Sequence, residues 1–142
     1  MYVYRDDEFS QVSRYNFDHP DALDWGLARQ TVERLLRGED VTVPNYNYKT
    51  CKREQPGILL KAADIVLLEG IFALYDGQMR EWMHLKVFVH SDDDIRLLRR
   101  LKRDVLERGR TVEGVVKAYS KFVKASYDEY IKPVSSPLWS HR

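Results

Sequence analysis

Ala63-Asp64-Ile65-Val66-Leu67-Leu68-Glu69-Gly70 and, fifteen residues on, Leu85-Lys86-Val87-Phe88-Val89-His90 are the two stretches on which the fold turns. Ile65 to Leu68 is a continuous apolar run, the pattern of a strand buried on both faces, and it stops abruptly at Glu69-Gly70. Leu85 to Val89 reads as a second buried strand, and residues 72–83 between them read as a helix. Ser91-Asp92-Asp93-Asp94 can cap a further helix that runs to about Glu107 and is interrupted at Gly109, and another spans roughly 112–131 until Pro133. Strand, helix, strand, helix with apolar strands predicts an α/β fold with a parallel sheet.

Towards the N-terminus, Asp21 or Asp24 can cap a helix through residues 25–37. Leu27, Thr31 and Leu35, with Val32 and Leu36, supply its apolar spacing, and Gly38 ends it. Val41 and Val43 alternate with Thr42 as a short strand before Pro44, and residues 44–57 read as a loop or hairpin connection. The chain is 142 residues, 44% hydrophobic and 32% charged, which is ordinary globular composition and room for one domain. No apolar run approaches the ~18 residues of a membrane helix. Met1 to Phe9 turns acidic where a signal peptide would become apolar. One cysteine, Cys51, excludes an internal disulfide framework and a cysteine-rich zinc site, so a cytoplasmic location is expected.

The net charge of +1 hides an asymmetry. Residues 1–94 hold 11 Lys and Arg against 17 Asp and Glu, whereas residues 95–132 hold 11 against 5. The basic segment is therefore expected to face something anionic: phosphate, nucleic acid or the acidic segment itself. Arg96, Arg99, Arg100 and Arg103 share one helix face opposite Leu97, Leu98, Leu101 and Val105. The pairs Arg100–Asp104, Arg103–Glu107 and Asp104–Arg108 are spaced for a solvated, salt-bridged helix. Arg108-Gly109-Arg110 argues for more, because two guanidinium groups across a glycine suit a segment that closes on phosphate.

Glu69, where an apolar strand stops, is a candidate metal or hydroxyl partner, or else a charged turn residue. Asn16-Phe17-Asp18-His19-Pro20-Asp21 can be a plain turn with a cap, or can present acids and an aromatic to a ligand. Tyr46-Asn47-Tyr48 can stack on a flat ring or pack on a hairpin. The four histidines have no metal-ligand spacing. The only G-x-x-x-x-G runs from Gly109 to Gly114 and is followed by Val115-Val116, so these residues contain no Walker A loop.

Taken in order, NFDHPDALD (16–24), VPNYNY (43–48), ADIVLLEGIFALYD (63–76), LKVFVHSDDDIRLLRRLKRDVLERGR (85–110) and YSKFVKASYDEYIKP (119–133) closely resemble the uridine/cytidine kinase family, within the phosphoribulokinase/uridine kinase superfamily of P-loop kinases. The resemblance covers nearly all of residues 15–133. It implies a three-layer parallel sheet of the nucleoside kinase type. It also implies transfer of the γ-phosphoryl group of ATP, with Mg²⁺, to the 5′-hydroxyl of uridine or cytidine in pyrimidine salvage.

By motif, Asp18 would bind the ribose hydroxyls and Phe17 would line the base pocket. Tyr46 and Tyr48 match an aromatic pair on the base, Tyr4 a tyrosine of the family's Asp-Ser-Phe-Tyr segment, and Glu69 the acid near Mg²⁺. Arg100 resembles a ribose-side arginine. Arg103, Arg108 and Arg110 resemble the lid residues that reach the phosphates. A single partial domain is expected over residues 1–142: a nucleoside-binding part in 1–60, core strands and helix in 61–90, and an arginine lid with C-terminal helices in 92–132.

The sequence also departs from the family. Aligning Tyr2-Val3-Tyr4-Arg5 with the family's Ser-Phe-Tyr-Arg puts the catalytic aspartate position at Met1, and the P-loop strand and helix would lie upstream of it. Cys51 stands where the family usually has a base-binding histidine, Ala118 replaces a glutamine, and Asn47 an aspartate. Ser135 to Arg142 replaces an Ala-Asp and a final apolar strand. The expectation is a chain inactive alone and truncated at both ends, whose two apolar strands lack a shared neighbour. It would be unstable, self-associating or reliant on a full-length kinase. A non-catalytic subunit pairing with such a kinase is the rival reading. A basic nucleic-acid module ranks lower, because no aromatic interleaving accompanies the arginines.

Overall fold

The computed structural model describes residues 15–135. Asp24 accepts a hydrogen bond from the Leu27 N–H at 2.9 Å and starts α1 (Trp25–Leu36), which buries Thr31 and Leu35 as its spacing predicts. The chain then forms an antiparallel hairpin, β1 (Val41–Asn47) and β2 (Lys52–Leu60), registered from Val41↔Leu60 to Asn47↔Lys52. Of the loop and the hairpin, residues 44–57 adopt the hairpin. Pro44 has no N–H to give the ladder, and the register shifts there, between Val43 and Asn45. Opposite it only glycine fits: a Cβ on Gly57 would lie 2.7 Å from Thr42 Cγ2 and 2.8 Å from the Val43 carbonyl oxygen.

The two stretches expected to be buried parallel strands have no regular secondary structure and belong to no sheet, and the paired strands among the described residues are those of the hairpin. Leu67 is 88% exposed and Leu85 79%. Both runs line a cleft of about 1370 Å³ together with Leu35, Met79 and Ile131. The parallel sheet is therefore not formed here. No strand among the described residues lies between the runs to pair their N–H and C=O groups.

The helix expected over 72–83 is shorter. Residues 71–75 are turns and α2 is Gly77–Trp82, because the Asp76 carboxylate accepts the Met79 N–H at 2.9 Å and sets the helix start. The same carboxylate takes Arg29 Nη2 at 2.8 Å, locking α1 to α2. Burial alone pushes the pKa of Asp76 up, but the hydrogen bonds from Arg29 and Met79, with the charges of Arg29 and Arg80, outweigh it and hold the carboxyl below its ordinary value. Trp25, Phe72, Tyr75, His19 and Tyr130 form a chain of ring contacts with centroids 4.8 to 6.1 Å apart, joining α1, the 70–75 turns and the C-terminal helical segment.

Next comes α3 (Asp93–Leu106), with Asp93 and Asp94 in its first turn favouring the positive helix end; Asp92, at the cap, makes no side-chain cap bond. Both faces of α3 are half-buried, Leu97, Leu101 and Val105 on the apolar stripe and Arg96, Arg100 and Arg103 on the other; Asp104 is buried, whereas Leu98, at 64%, and Arg99 are exposed. Beyond Gly109, whose φ of +67° ends the helix, α4 (Val112–Ala118) starts under a Thr111 cap. It continues through wide turns at Tyr119–Val123, α5 (Lys124–Ser126), and wide turns at Tyr127–Ile131. Pro133 falls in a final tight turn, Lys132–Ser135.

Candidate functional site

The loop 16–24, the tip of the hairpin and the C-terminal half of α3 converge. The loop is shaped locally by Asn16, whose Oδ1 accepts from the Asp18 N–H at 3.1 Å, and by His19, whose Nδ1 accepts from the Asp21 N–H at 3.2 Å. It is tethered to the C-terminal helix by Asn16 Nδ2 donating to Ser126 Oγ and by a His19 Nε2–Tyr130 hydroxyl hydrogen bond, both 2.9 Å. His19 is thus a structural tie between this loop and the C-terminal helical segment.

These tethers hold Asp18 against α3, where its carboxylate faces the Arg100 fork with Nη1–Oδ1 at 3.0 Å and Nη2–Oδ2 at 3.1 Å. Such a bidentate pair is directional as well as charge-assisted. Phe17 stands beside it with its ring edge-on to Tyr15, centroids 5.3 Å apart.

The hairpin tip is built by Asn47, whose side-chain oxygen accepts from the Lys49 and Thr50 N–H groups at 2.9 and 3.2 Å. It closes at Cys51, which is buried at φ +57°. The turn sets Tyr46 and Tyr48 edge to face, centroids 5.1 Å apart. The Arg108 guanidinium lies over the Tyr48 ring at 4.5 Å, and Arg110 Nη2 donates to Cys51 Sγ at 3.0 Å. The arginines on either side of Gly109 are thereby folded onto the hairpin.

Beneath them, Asp104 collects three guanidinium groups: Arg103 Nε at 2.8 Å, Arg108 Nη1 at 3.4 Å and Arg100 Nε at 3.5 Å. Two of the three spaced pairs read from the sequence form. The third does not, because Arg103 turns to Asp104 rather than to Glu107. Arg96 pairs with Asp93 and stacks on Tyr127 at 3.4 Å. Arg96, Arg100 and Arg103 are thus half-buried and ion-paired, while Arg99 and Lys102 of the same helix are exposed.

Of the residues singled out in the sequence, Phe17, Asp18, Tyr46, Tyr48, Cys51, Arg100, Arg103, Arg108 and Arg110 belong to this convergence. Glu69 does not pair with any of them: it is exposed, on the rim of the apolar cleft with Arg96. Tyr4 lies outside the described residues. No group of three or more His, Cys, Asp or Glu suited to a metal ion occurs among the described residues. A lone carboxylate such as Glu69 fits Mg²⁺ only where phosphate and water supply the other oxygens. No helix of the described residues is long and apolar enough to cross a membrane.

Asp104, Asn16 and Tyr127 were missed as site residues by sequence reading. The position of Asp104, one turn from both Arg100 and Arg108 and next to Arg103, was the available clue.

Comparison with known proteins places this arrangement in context. The Phosphoribulokinase / Uridine kinase family matches residues 2–137. The chain is similar to Uridine-cytidine kinase A of Dictyostelium discoideum, 48% identical over 122 residues, covering 86% of this chain and 24% of that protein. It is also similar to Uridine-cytidine kinase B of the same organism, 46% identical over 122 residues, covering 86% and 50%. Uridine-cytidine kinase-like 1 of Mus musculus is 45% identical over 126 residues, covering 89% and 23%. The chain thus spans between about a quarter and a half of the length of these relatives.

Proposed function

This chain belongs to the phosphoribulokinase/uridine kinase family, and from that membership we propose that it is a uridine/cytidine kinase-type protein whose 142 residues carry the nucleoside site and the arginine lid. The observation that carries the reading is the Asp18–Arg100 fork linked through Asp104 to Arg108, which lies over Tyr48 of the Tyr46–Tyr48 pair. A carboxylate held by a fork keeps acceptor capacity for the two adjacent hydroxyls of a ribose, and the tyrosine pair, Tyr48 exposed and Tyr46 half-buried, would offer a face to a flat pyrimidine. Phe17 would border the same pocket, as would Cys51 from the hairpin tip.

Arg103, Arg108 and Arg110 would neutralise the polyphosphate of ATP, since phosphoryl transfer depends mainly on positioning and charge neutralisation. Mg²⁺ would offset the charge that develops in transfer, and Glu69 is the carboxylate that the family resemblance assigns to holding it. These residues hold no Walker A sequence, so the chain alone is expected to bind nucleoside without turning it over.

A second reading, a non-catalytic subunit that associates with a full-length kinase in the cytoplasm or with another copy of itself, draws on the exposed 65–68 and 85–89 runs. Such an unpaired, apolar backbone favours partnering. Titration with ATP and with uridine separates the cases. Uridine binding without measurable ATP affinity and without phosphoryl transfer agrees with the proposal. Tight ATP binding by this chain alone would refute the argument from the missing Walker sequence. Salt-steep RNA binding without nucleoside binding would replace both readings.

A further inference from the structure

We infer that Asp104 is a positioning residue, a buried counter-charge that fixes the three arginines of the site in the places from which they meet substrate. Its side chain is 8% exposed, it accepts a hydrogen bond from Arg103 Nε at 2.8 Å and forms longer ion pairs with Arg108 Nη1 and Arg100 Nε, and its backbone carbonyl accepts the Arg110 N–H at 2.9 Å. One residue therefore grips both sides of the Gly109 turn.

Through Arg100 the grip extends to Asp18, because that guanidinium spans the two carboxylates, presenting its terminal nitrogens to one and Nε to the other. Arg103 engages Asp104 through Nε, so its two terminal nitrogens have no partner among the described residues and remain available as a fork for phosphate. Three guanidinium groups so close together would repel one another if nothing anionic stood among them. Asp104 allows them to be ordered before an anion arrives. That lowers the conformational cost of binding, although its charge opposes the anion.

These two effects have opposite signs, which makes the inference testable. If Asp104 acted only as a charge, removing it would strengthen anion binding. If it positions the arginines, removing it weakens binding despite the gain of net positive charge. The identity of the anion rests on the kinase reading; the positioning itself does not.

The test titrates inorganic tripolyphosphate into the full chain and records the arginine Nε–Hε resonances by NMR. Asp104→Asn is expected to lose about fivefold in affinity and to lose the exchange protection of the Arg103 and Arg108 Nε–H groups. Glu107→Gln, an exposed change of the same charge one turn away, is expected to bind as well as or better than the unmodified chain. Unchanged or tighter binding by Asp104→Asn overturns the inference. If Asp104→Asn does not fold, Asp104→Glu decides: the charge is kept but moved by one methylene, so a loss of about threefold supports positioning and unmodified affinity overturns it. If the unmodified chain does not bind tripolyphosphate, the kinase reading of these arginines fails. The Nε–H signals then decide alone, their collapse in Asp104→Asn supporting positioning and their persistence refuting it.

Discussion

Asp18→Asn removes one oxygen's charge and one acceptor from the fork that joins the 16–24 loop to α3. The two side chains are 15% and 23% exposed, between the surface and buried limits. Exposed pairs contribute about 0–1 kcal/mol, whereas breaking a fully buried pair costs about 3–5 kcal/mol. The intermediate exposure places the loss at about 2–3 kcal/mol. Arg100 keeps a longer contact to Asp104, Nε to Oδ2 at 3.5 Å, so its charge is not orphaned and the lower end of that range is expected. Urea denaturation of the parent, Asp18→Asn, Arg100→Gln and the double variant gives a coupling energy. The expected value is about 1.5 kcal/mol, since the cycle cancels the solvation of each separate side chain. A coupling below about 0.3 kcal/mol would mean that the fork is dissolved in solvent and that the loop is held by its Asn16 and His19 tethers alone.

Asp76 gives a pH prediction. Its carboxyl titrates below the ordinary 3.8 when folded, so its stabilisation is complete above that value and is lost as pH falls through the lower, folded one. Asp76→Asn should therefore flatten the acid limb of the thermal midpoint measured below about pH 4, and an unchanged limb contradicts the assignment. Leu67→Lys and Val89→Lys should each shift unfolding free energy by less than about 0.5 kcal/mol and reduce self-association on gel filtration. Losses of about 2–5 kcal/mol would show those side chains buried in a core. Gly109→Ala, whose Cβ meets nothing within 4 Å, should cost about 1 kcal/mol from its φ of +67° alone, measured by urea denaturation. No cost at all would mean that the turn after α3 is not fixed.

Local rules carried the sequence reading furthest. Asp24 before an i,i+4 stripe gave α1, and the acidic start and Gly109 end gave α3 within a residue or two. Tyr46 and Tyr48 are two apart on one strand-like stretch, so their pairing followed from local geometry once the hairpin formed. What escaped were matters of partner. Ile65 to Leu68 and Leu85 to Val89 have the composition of central strands, but strand formation depends on a neighbouring backbone, and composition does not report whether one is there. The Leu97, Leu98 and Leu101 stripe suggested that a single side of α3 faces inward, yet the carboxylates of Asp18 and Asp104 and the ring of Tyr127 hold Arg100, Arg103 and Arg96 half-buried alongside Leu97 and Leu101, and Leu98 is exposed. Asp18 and Arg100 are 82 positions apart, and their pairing could enter the sequence reading only through the family resemblance.

The central claim is a nucleoside site framed by Asp18, Arg100, Tyr46 and Tyr48, and calorimetric titration of the purified chain with uridine and adenosine tests it most directly. Uridine should bind, adenosine should bind at least about tenfold more weakly, and Asp18→Asn should lose about tenfold of the uridine affinity, the equivalent of one charge-assisted hydrogen bond. A folded chain that ignores uridine, or binds it equally well without the Asp18 carboxylate, would contradict the account.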